Sequence, residues 1–518
     1  VLTMSEKIQD HIFDLIQSLH KSERRYFKIY ASKHVIGEEN NYEALFDFFS
    51  KEVAYSEDRL KAHFAGHPML NNLTITLHRL YDHLLRALES YHRSTSVGLE
   101  LRHLLNYAEI LFNKSLYSAC FKMCKKIKKL AEEHDCHTVL LEQNNLVKRL
   151  LEVENYEKIK GSELEEIRES DHAVLQDLAR ISRLWFVKSK LLNKLNTEGL
   201  ARTEEDKKFY LELSSQLGAP ESELFEEQYL SYHARAAGQF ALGEFQSCLS
   251  YVENNLELFE QHPQKKEENL SRYISLLSNA IYLYQTLLDF QKARHYLRQL
   301  KFLYSSLKSK LSDDLVLKLF NSTYSTELMM NIQAGNFQDN IEIAREIQAQ
   351  LTSFSGKISV VRETYFNYCF AISFLANNQA KSALKFINAV LNNENSQKVQ
   401  DMVDATRVLQ LVALTELKEH QLVAYLLKAS KRQLVQKKKW HEFEKFLFRY
   451  IDKWSKIEKG WEEEELFADF TERLEQGRMI FESSRLYHVF PFQCWAESKY
   501  KKKTIGLCVQ NQLINLAK

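Results

Sequence analysis

Residues 241–259 read ALGEFQSCLSYVENNLELF. A helix ends here, a Gly-Glu turn follows, and Phe245 opens a new helix. Four later stretches share the plan: LLDFQKARHYLRQLKFLY (287–304), QAGNFQDNIEIAREIQAQL (333–351), LANNQAKSALKFINAVL (375–391) and LKEHQLVAYLLKASKRQL (417–434). Each has a helix ending, a small or polar turn, often an aromatic, and then another helix. Three residues beyond the aromatic position comes a residue that is usually small. These are Cys248, Ala293, Asn340, Ala383 and Ala424, at spacings of 45, 47, 43 and 41 residues. FNKSLYSACFKMCKKIKKL (112–130) is a sixth copy with Cys120 in the same slot. The 128 residues from Cys120 to Cys248 leave room for two degenerate units. Repeats of about 20–50 residues that each read as two helices indicate a helical solenoid.

The turns GEFQSC, DFQKA and GNFQDN resemble those of the tetratricopeptide (TPR) repeat. There a Gly or Asp, an aromatic and a small residue join two antiparallel helices. The small residue lets the helices approach, and the aromatic fills the wedge beside it. The chain departs from that family in its longer period, in Asn340 where Ala is expected, and in the mostly missing closing proline. TPR-like with lengthened helices describes it, over roughly residues 99–455. LHKSERRYFKIYASKH (19–34), YEALFDFF (42–49) and LTITLHRLYDHLLRALESY (73–91) also resemble the head of a bacterial family of TPR-like proteins. That likeness implies a fold and no reaction.

Composition agrees with helices. The chain of 518 residues holds 13 glycines and 4 prolines, where average usage would give about 36 and about 26. A sheet protein of this length needs many turn residues, so the deficit favours long helices with short loops. Gly66, Pro68, Gly98, Gly161, Gly199, Gly218–Pro220, Gly243, Pro263, Gly335, Gly356 and Gly460 punctuate stretches with a period near 3.6. Leu73, Leu77, Leu80, Leu84, Leu88 and Tyr91 share one such face. The 70 basic and 69 acidic residues nearly cancel, which argues against a dedicated nucleic-acid or anionic-membrane binder. No run of 18 apolar residues occurs, so no membrane span is expected. VLTMSEKIQDHIF lacks the features of a signal peptide. Seven scattered cysteines read as reduced thiols of a cytoplasmic protein.

Several clusters could carry chemistry. Cys120, Cys124, His134, Cys136 and His137 lie close in sequence, but ligands must come within about 2.3 Å of one ion. If one helix runs through KKIKKLAEE, His134 lies about 15 Å from Cys124. Cys120 then packs as a small hydrophobe, and Asp135 can cap the following helix. Eight histidines fall in the first 92 residues: His11, His20, His34, His63, His67, His78, His83 and His92. No HExxH or matched carboxylate accompanies them, so they read as solvated or boundary residues. Residues 56–85 could form a helix-turn-helix presenting Asn71, Asn72, Thr74, Thr76 and Arg79. Residues 1–100, however, hold 12 basic and 14 acidic side chains, no footprint for phosphates. Lys122, Lys125, Lys126, Lys128 and Lys129 read as a solvated helix face. So do Lys428, Lys431, Arg432 and Lys437–Lys439, and the acidic run Glu462–Glu465. GxGxxG, GxxxxGK[ST] and GxSxG are all missing.

The expectation is an all-α, TPR-like α-α superhelix. It has a helical head (1–97), a helix-pair array (98–455) and a C-terminal helical cap and tail (456–518). It is expected to be a non-enzymatic scaffold that needs no cofactor or metal and binds a protein or peptide along its concave face. By analogy with TPR units, the groove includes His233, Ser275, Ser278, Tyr282, Ser325, Tyr365 and Tyr368. Rings there supply area and hydroxyls supply hydrogen bonds to an extended chain. The Lys and Asn that clamp a C-terminal carboxylate in some TPR proteins are not at matching places, which disfavours a chaperone-tail binder. The alternative is a regulator that touches nucleic acid through the helix-turn-helix-like segment or the lysine faces.

Overall fold

The computed structural model describes residues 8–33, 41–52, 54–93, 96–157, 160–201, 203–218, 222–308, 311–354, 357–393, 399–437, 439–457, 460–482, 484–501 and 503–516. His34, Pro220, Gly356 and Lys438 lie outside them. The described residues are helical, with no strand among them. No helix among them is long and apolar enough to cross a membrane. The chain divides into two compact units, residues 1–182 and 183–518.

The first unit contains α1 (Ile8–Ser18), α2 (Lys21–Ser32), α3 (Asn41–Lys51), α4 (Glu57–His63), α5 (Leu73–His92), α6 (Val97–Asn113), α7 (Tyr117–Glu133), α8 (His137–Val153) and the start of α9 (Gly161–Glu198). Its apolar side chains form two cores. One joins Ile12, Ile16, Phe27, Phe46, Phe49 and Leu80 from α1, α2, α3 and α5. The other joins Leu101, Ala108, Cys120, Cys124, Leu146 and Val174 from α6, α7, α8 and α9.

The second unit begins within α9. It continues through α10 (Glu204–Ser215), α11 (Phe225–Leu242), α12 (Phe245–Gln261), α13 (Pro263–Glu268), α14 (Leu270–Thr286), α15 (Phe290–Leu307), α16 (Asp313–Gln333) and α17 (Phe337–Ser353). Then come α18 (Val360–Ala376), α19 (Ala380–Leu391), α20 (Gln400–Glu416), α21 (His420–Gln436), α22 (Glu442–Trp454), α23 (Gly460–Gln476), α24 (Arg478–Phe481), α25 (Phe492–Lys501) and α26 (Ile505–Leu516). From α14 to α22 each helix packs on the next in sequence, and α14, α16, α18, α20 and α22 also pack on one another in succession. We call these five the row, and α15, α17, α19 and α21 the flanking helices.

One backbone device makes the tight joints. Ser115, Asp135, Gly243, Leu288, Gly335, Asn378 and Lys418 all have positive φ. In each, the left-handed residue donates three residues back, and the next residue donates five back. Examples are Gly243 N to Phe240 O (3.0 Å) with Glu244 N to Gln239 O (2.9 Å), and Lys418 N to Thr415 O (2.9 Å) with Glu419 N to Leu414 O (3.0 Å). This bond pair satisfies carbonyls left open at a helix end. The next helix starts at once, so the two must fold back as a hairpin.

The fifth residue after the left-handed one turns inward. Cys120, Cys248, Ala293, Asn340 and Ala383 occupy this position and are buried. In the last repeat that residue is Val423, which is fully buried, while Ala424 is exposed. The reading of Ala424 as the small residue is therefore one position late. HQLV has no aromatic to mark the register, and the left-handed Lys418 sets it instead. Asp135 is also corrected: it is the left-handed residue of its joint, and Cys136 is the N-cap of α8. Asn340 exceeds alanine because its amide ties three helices. Its Nδ2 donates to Leu328 O (3.0 Å) and to Ser373 Oγ (2.9 Å), and its Oδ1 accepts from Asn331 Nδ2 (2.9 Å).

The C-terminal segment turns back onto the row. Trp495 Nε1 and Lys499 Nζ donate to Glu416 at 3.0 and 2.5 Å, and Gln510 Nε2 donates to Asn336 Oδ1 at 3.0 Å. Gly335 and Gly506 let backbone meet backbone there: a Cβ at Gly335 would lie 2.6 Å from the Gly506 carbonyl oxygen.

Candidate binding surface

The seven groove candidates lie on α11, α14, α16 and α18. Three are serines whose hydroxyls donate to their own helices: Ser275 to Ser271 O (3.1 Å), Ser278 to Ile274 O (3.0 Å), and Ser325 to Asn321 O. Oxygen lone pairs remain for a ligand, but the donors are occupied. Tyr282 is half exposed and its ring lies 5.9 Å from that of Phe240. His233 is largely buried. Burial, helped by Lys188 and Arg272, pushes its imidazole down to about 4, so it is neutral at pH 7. Burial pushes the Tyr365 hydroxyl well above its ordinary value. Tyr368 is buried, and its hydroxyl donates to the Val489 carbonyl at 3.3 Å.

Three of these residues line two different cavities. His233 and Tyr282 line a cavity of about 220 Å³ between α11, α12 and α14. Tyr368 lines a second, of about 430 Å³. Its other walls come from α20 (Asp401, Asp404), the start of α22 (His441, Glu444) and the returning segment (Ser484, His488, Val489).

A charge cluster lies in the wall of the second cavity and behind it. Asp404 is buried and accepts from Lys437 (2.7 Å), Lys439 (2.9 Å), Gln400 (2.9 Å) and Arg407 (3.2 Å). Burial pulls its pKa up, but the hydrogen bonds from Lys437, Lys439 and Gln400 outweigh this, and the carboxyl titrates below its ordinary value. Lys439 also reaches Asp401 at 2.7 Å. On the far wall Glu444 accepts from His441 N at 2.9 Å and from the Ser484 hydroxyl.

Sequence reasoning missed this cluster. Lys437 and Lys439 read there as a solvated face, yet both are partly buried partners of Asp404. The lysines of α7 are indeed exposed, and Lys128 and Lys129 lie 3.9 Å from Glu132 and Glu133. Asn71, Asn72, Thr74 and Arg79 are exposed on and before α5.

The Cys and His groups sit apart. Cys120 and Cys124 are buried on α7, which runs unbroken to Glu133, and His134 is its C-cap. Cys120 Sγ donates to Ala108 O at 3.2 Å, and burial pushes the Cys124 thiol up to about 12. In the head, His92 contacts Glu23 at 2.6 Å, and the His63 ring lies 5.2 Å from Phe48. Among the described residues no group of three or more His, Cys, Asp or Glu is placed to hold a metal ion.

Compared with protein-family models, with curated proteins and with solved structures, the chain matches none.

Proposed function

We propose that the helix pairs form a TPR-like superhelix acting as a non-catalytic scaffold in the cytoplasm. On this reading the face made by α14, α16, α18, α20 and α22 takes an extended segment of a partner protein. One observation carries the proposal: this face already lies against a short segment of its own chain, which makes a single 3-10 turn at Arg485–His488. Residues 484–490 run past α18, α20 and α22, with Tyr368 donating to a main-chain carbonyl and Glu444 accepting from Ser484. The Tyr368 bond to a main-chain carbonyl would serve any peptide sequence, the Glu444 bond to a side-chain hydroxyl would select, and the neighbouring cavity leaves room for a further side chain.

The test places a photo-crosslinking amino acid at Tyr282 or Tyr365 on the row, and at Phe302 or Tyr425 on α15 and α21, in the native cell. Phe302 and Tyr425 are each 70% exposed, so they report on contacts away from the row. The expected result is a discrete protein adduct from the row positions and none from the flanking ones. Adducts from the flanking positions alone, or from none, would sink the proposal.

A further inference from the structure

The cavity between α11, α12 and α14 differs in kind from the charged one. Leu192 and Leu195 of α9 help to close it, and Ala236 and Ala237 leave its volume open. Two polar side chains in its wall are incompletely bonded. Asn255 is fully buried, and its Nδ2 donates to the Tyr229 carbonyl at 3.3 Å. That bond assigns the other atom as oxygen, and Asn255 Oδ1 has no partner within the protein. His233 Nδ1 has none either. A buried polar atom left unpaired costs about 1–3 kcal/mol, which a bound donor would recover. A cavity of about 150 Å³ with apolar walls accepts benzene; this one, at about 220 Å³, has room for a fused bicycle. Lys188 and Arg272 act on His233 as nearby positive charges, which disfavours a cationic occupant.

We propose that this cavity is a binding site for a neutral aromatic molecule about the size of indole that presents a hydrogen-bond donor to Asn255 Oδ1. The apolar walls, Phe240 among them, take the rings, and the unpaired acceptor selects for N–H or O–H. The site does not depend on the peptide reading: a row that bound no partner would still contain it.

The test uses the full chain and two matched probe pairs, indole with indene and phenol with toluene. Binding is followed by ligand-observed NMR and by the rise in Tm. Indole and phenol are expected to bind saturably, indole at least about tenfold tighter than indene, since an unmade buried hydrogen bond is worth that much or more. Ala237→Leu fills the space and is expected to abolish binding. Asn255→Leu is expected to erase the preference for the donor-bearing member of each pair. Equal affinity of indole and indene for the wild-type chain would overturn the proposal, and that comparison needs no variant to fold. So would no saturable binding of any probe, with water alone in the cavity, or indole binding unchanged by Ala237→Leu in a folded protein.

Discussion

The flanking helices and the helices of the row bury themselves differently. α15 buries one stripe, Ala293, Leu297, Leu300 and Tyr304, and α21 buries Val423, Leu427, Ser430 and Leu434 at the same intervals. α7 in the first unit repeats it with Cys120, Cys124, Ile127 and Ala131. α18, in contrast, buries Phe366 and then every residue from Tyr368 to Ser373. α20 buries Val403–Thr406 and Leu411–Thr415. A helix covered on one side must keep polar residues on the other, so its sequence carries a period. A helix covered on several sides loses that period and needs small or hydrogen-bonded residues where neighbours press in.

The sharpest way to break this comparison is to overload the stripe. Ala293→Arg and Ala383→Arg place a long charged side chain at fully buried positions. Overpacking costs about 1–3 kcal/mol, and an unpaired buried charge adds to that. Val423→Arg should do the same, whereas Ala424→Arg, one residue on and exposed, should stay within about 0.5 kcal/mol of wild type. Thermal unfolding that ranked these two the other way would remove the register assigned from the joints.

Asn340→Ala tests whether the stripe residue of α17, whose amide bonds α16 and α18 of the row, does more than fill space. It leaves Asn331, Ser373 and the Leu328 carbonyl short of a partner, at an expected cost of about 2 kcal/mol by urea unfolding. A neutral effect would mean the amide is a passive filler.

His233 sharpens the contrast through pH. Its folded pKa, about 4, lies below the ordinary 6.5. The unfolded chain therefore binds the proton first, and stability should fall as pH drops from about 6.5 towards 4. His233→Gln should flatten that part of the profile, while His295→Gln on the exposed side of α15 should leave it unchanged. An identical slope in wild type and His233→Gln would show that the imidazole is not held neutral by burial.

The smallest effect is at the joints. Lys418 holds φ +60° without being glycine. Lys418→Gly should stabilise the chain by up to about 1 kcal/mol, by relieving the left-handed strain. A loss of stability would mean that the lysine side chain contributes more than its backbone costs.

The joints explain why the repeat is faint in sequence. Of the seven left-handed residues at these joints only Gly243 and Gly335 are glycines; Ser115, Asp135, Leu288, Asn378 and Lys418 do the same work without that signature. The candidate surface was harder to see. Tyr282 of the row and His233 of α11 could be placed on their helices from the sequence, because those helices and their joints could be located. That Tyr368 is covered by Val489, and that Asp404 is matched by Lys437 and Lys439, had no local signal.

The helical content and the place of most joints followed from the sequence alone, because helix hydrogen bonds, caps and a one-sided apolar period all lie within a few residues of one another. Only the tertiary structure decided which faces meet. The return of the C-terminal segment over the row, the charge cluster around Asp404 and the cavity beside Asn255 join residues 26 to 174 positions apart. No period within a helix encodes such pairings, since they depend on how whole faces fit when the helices stack.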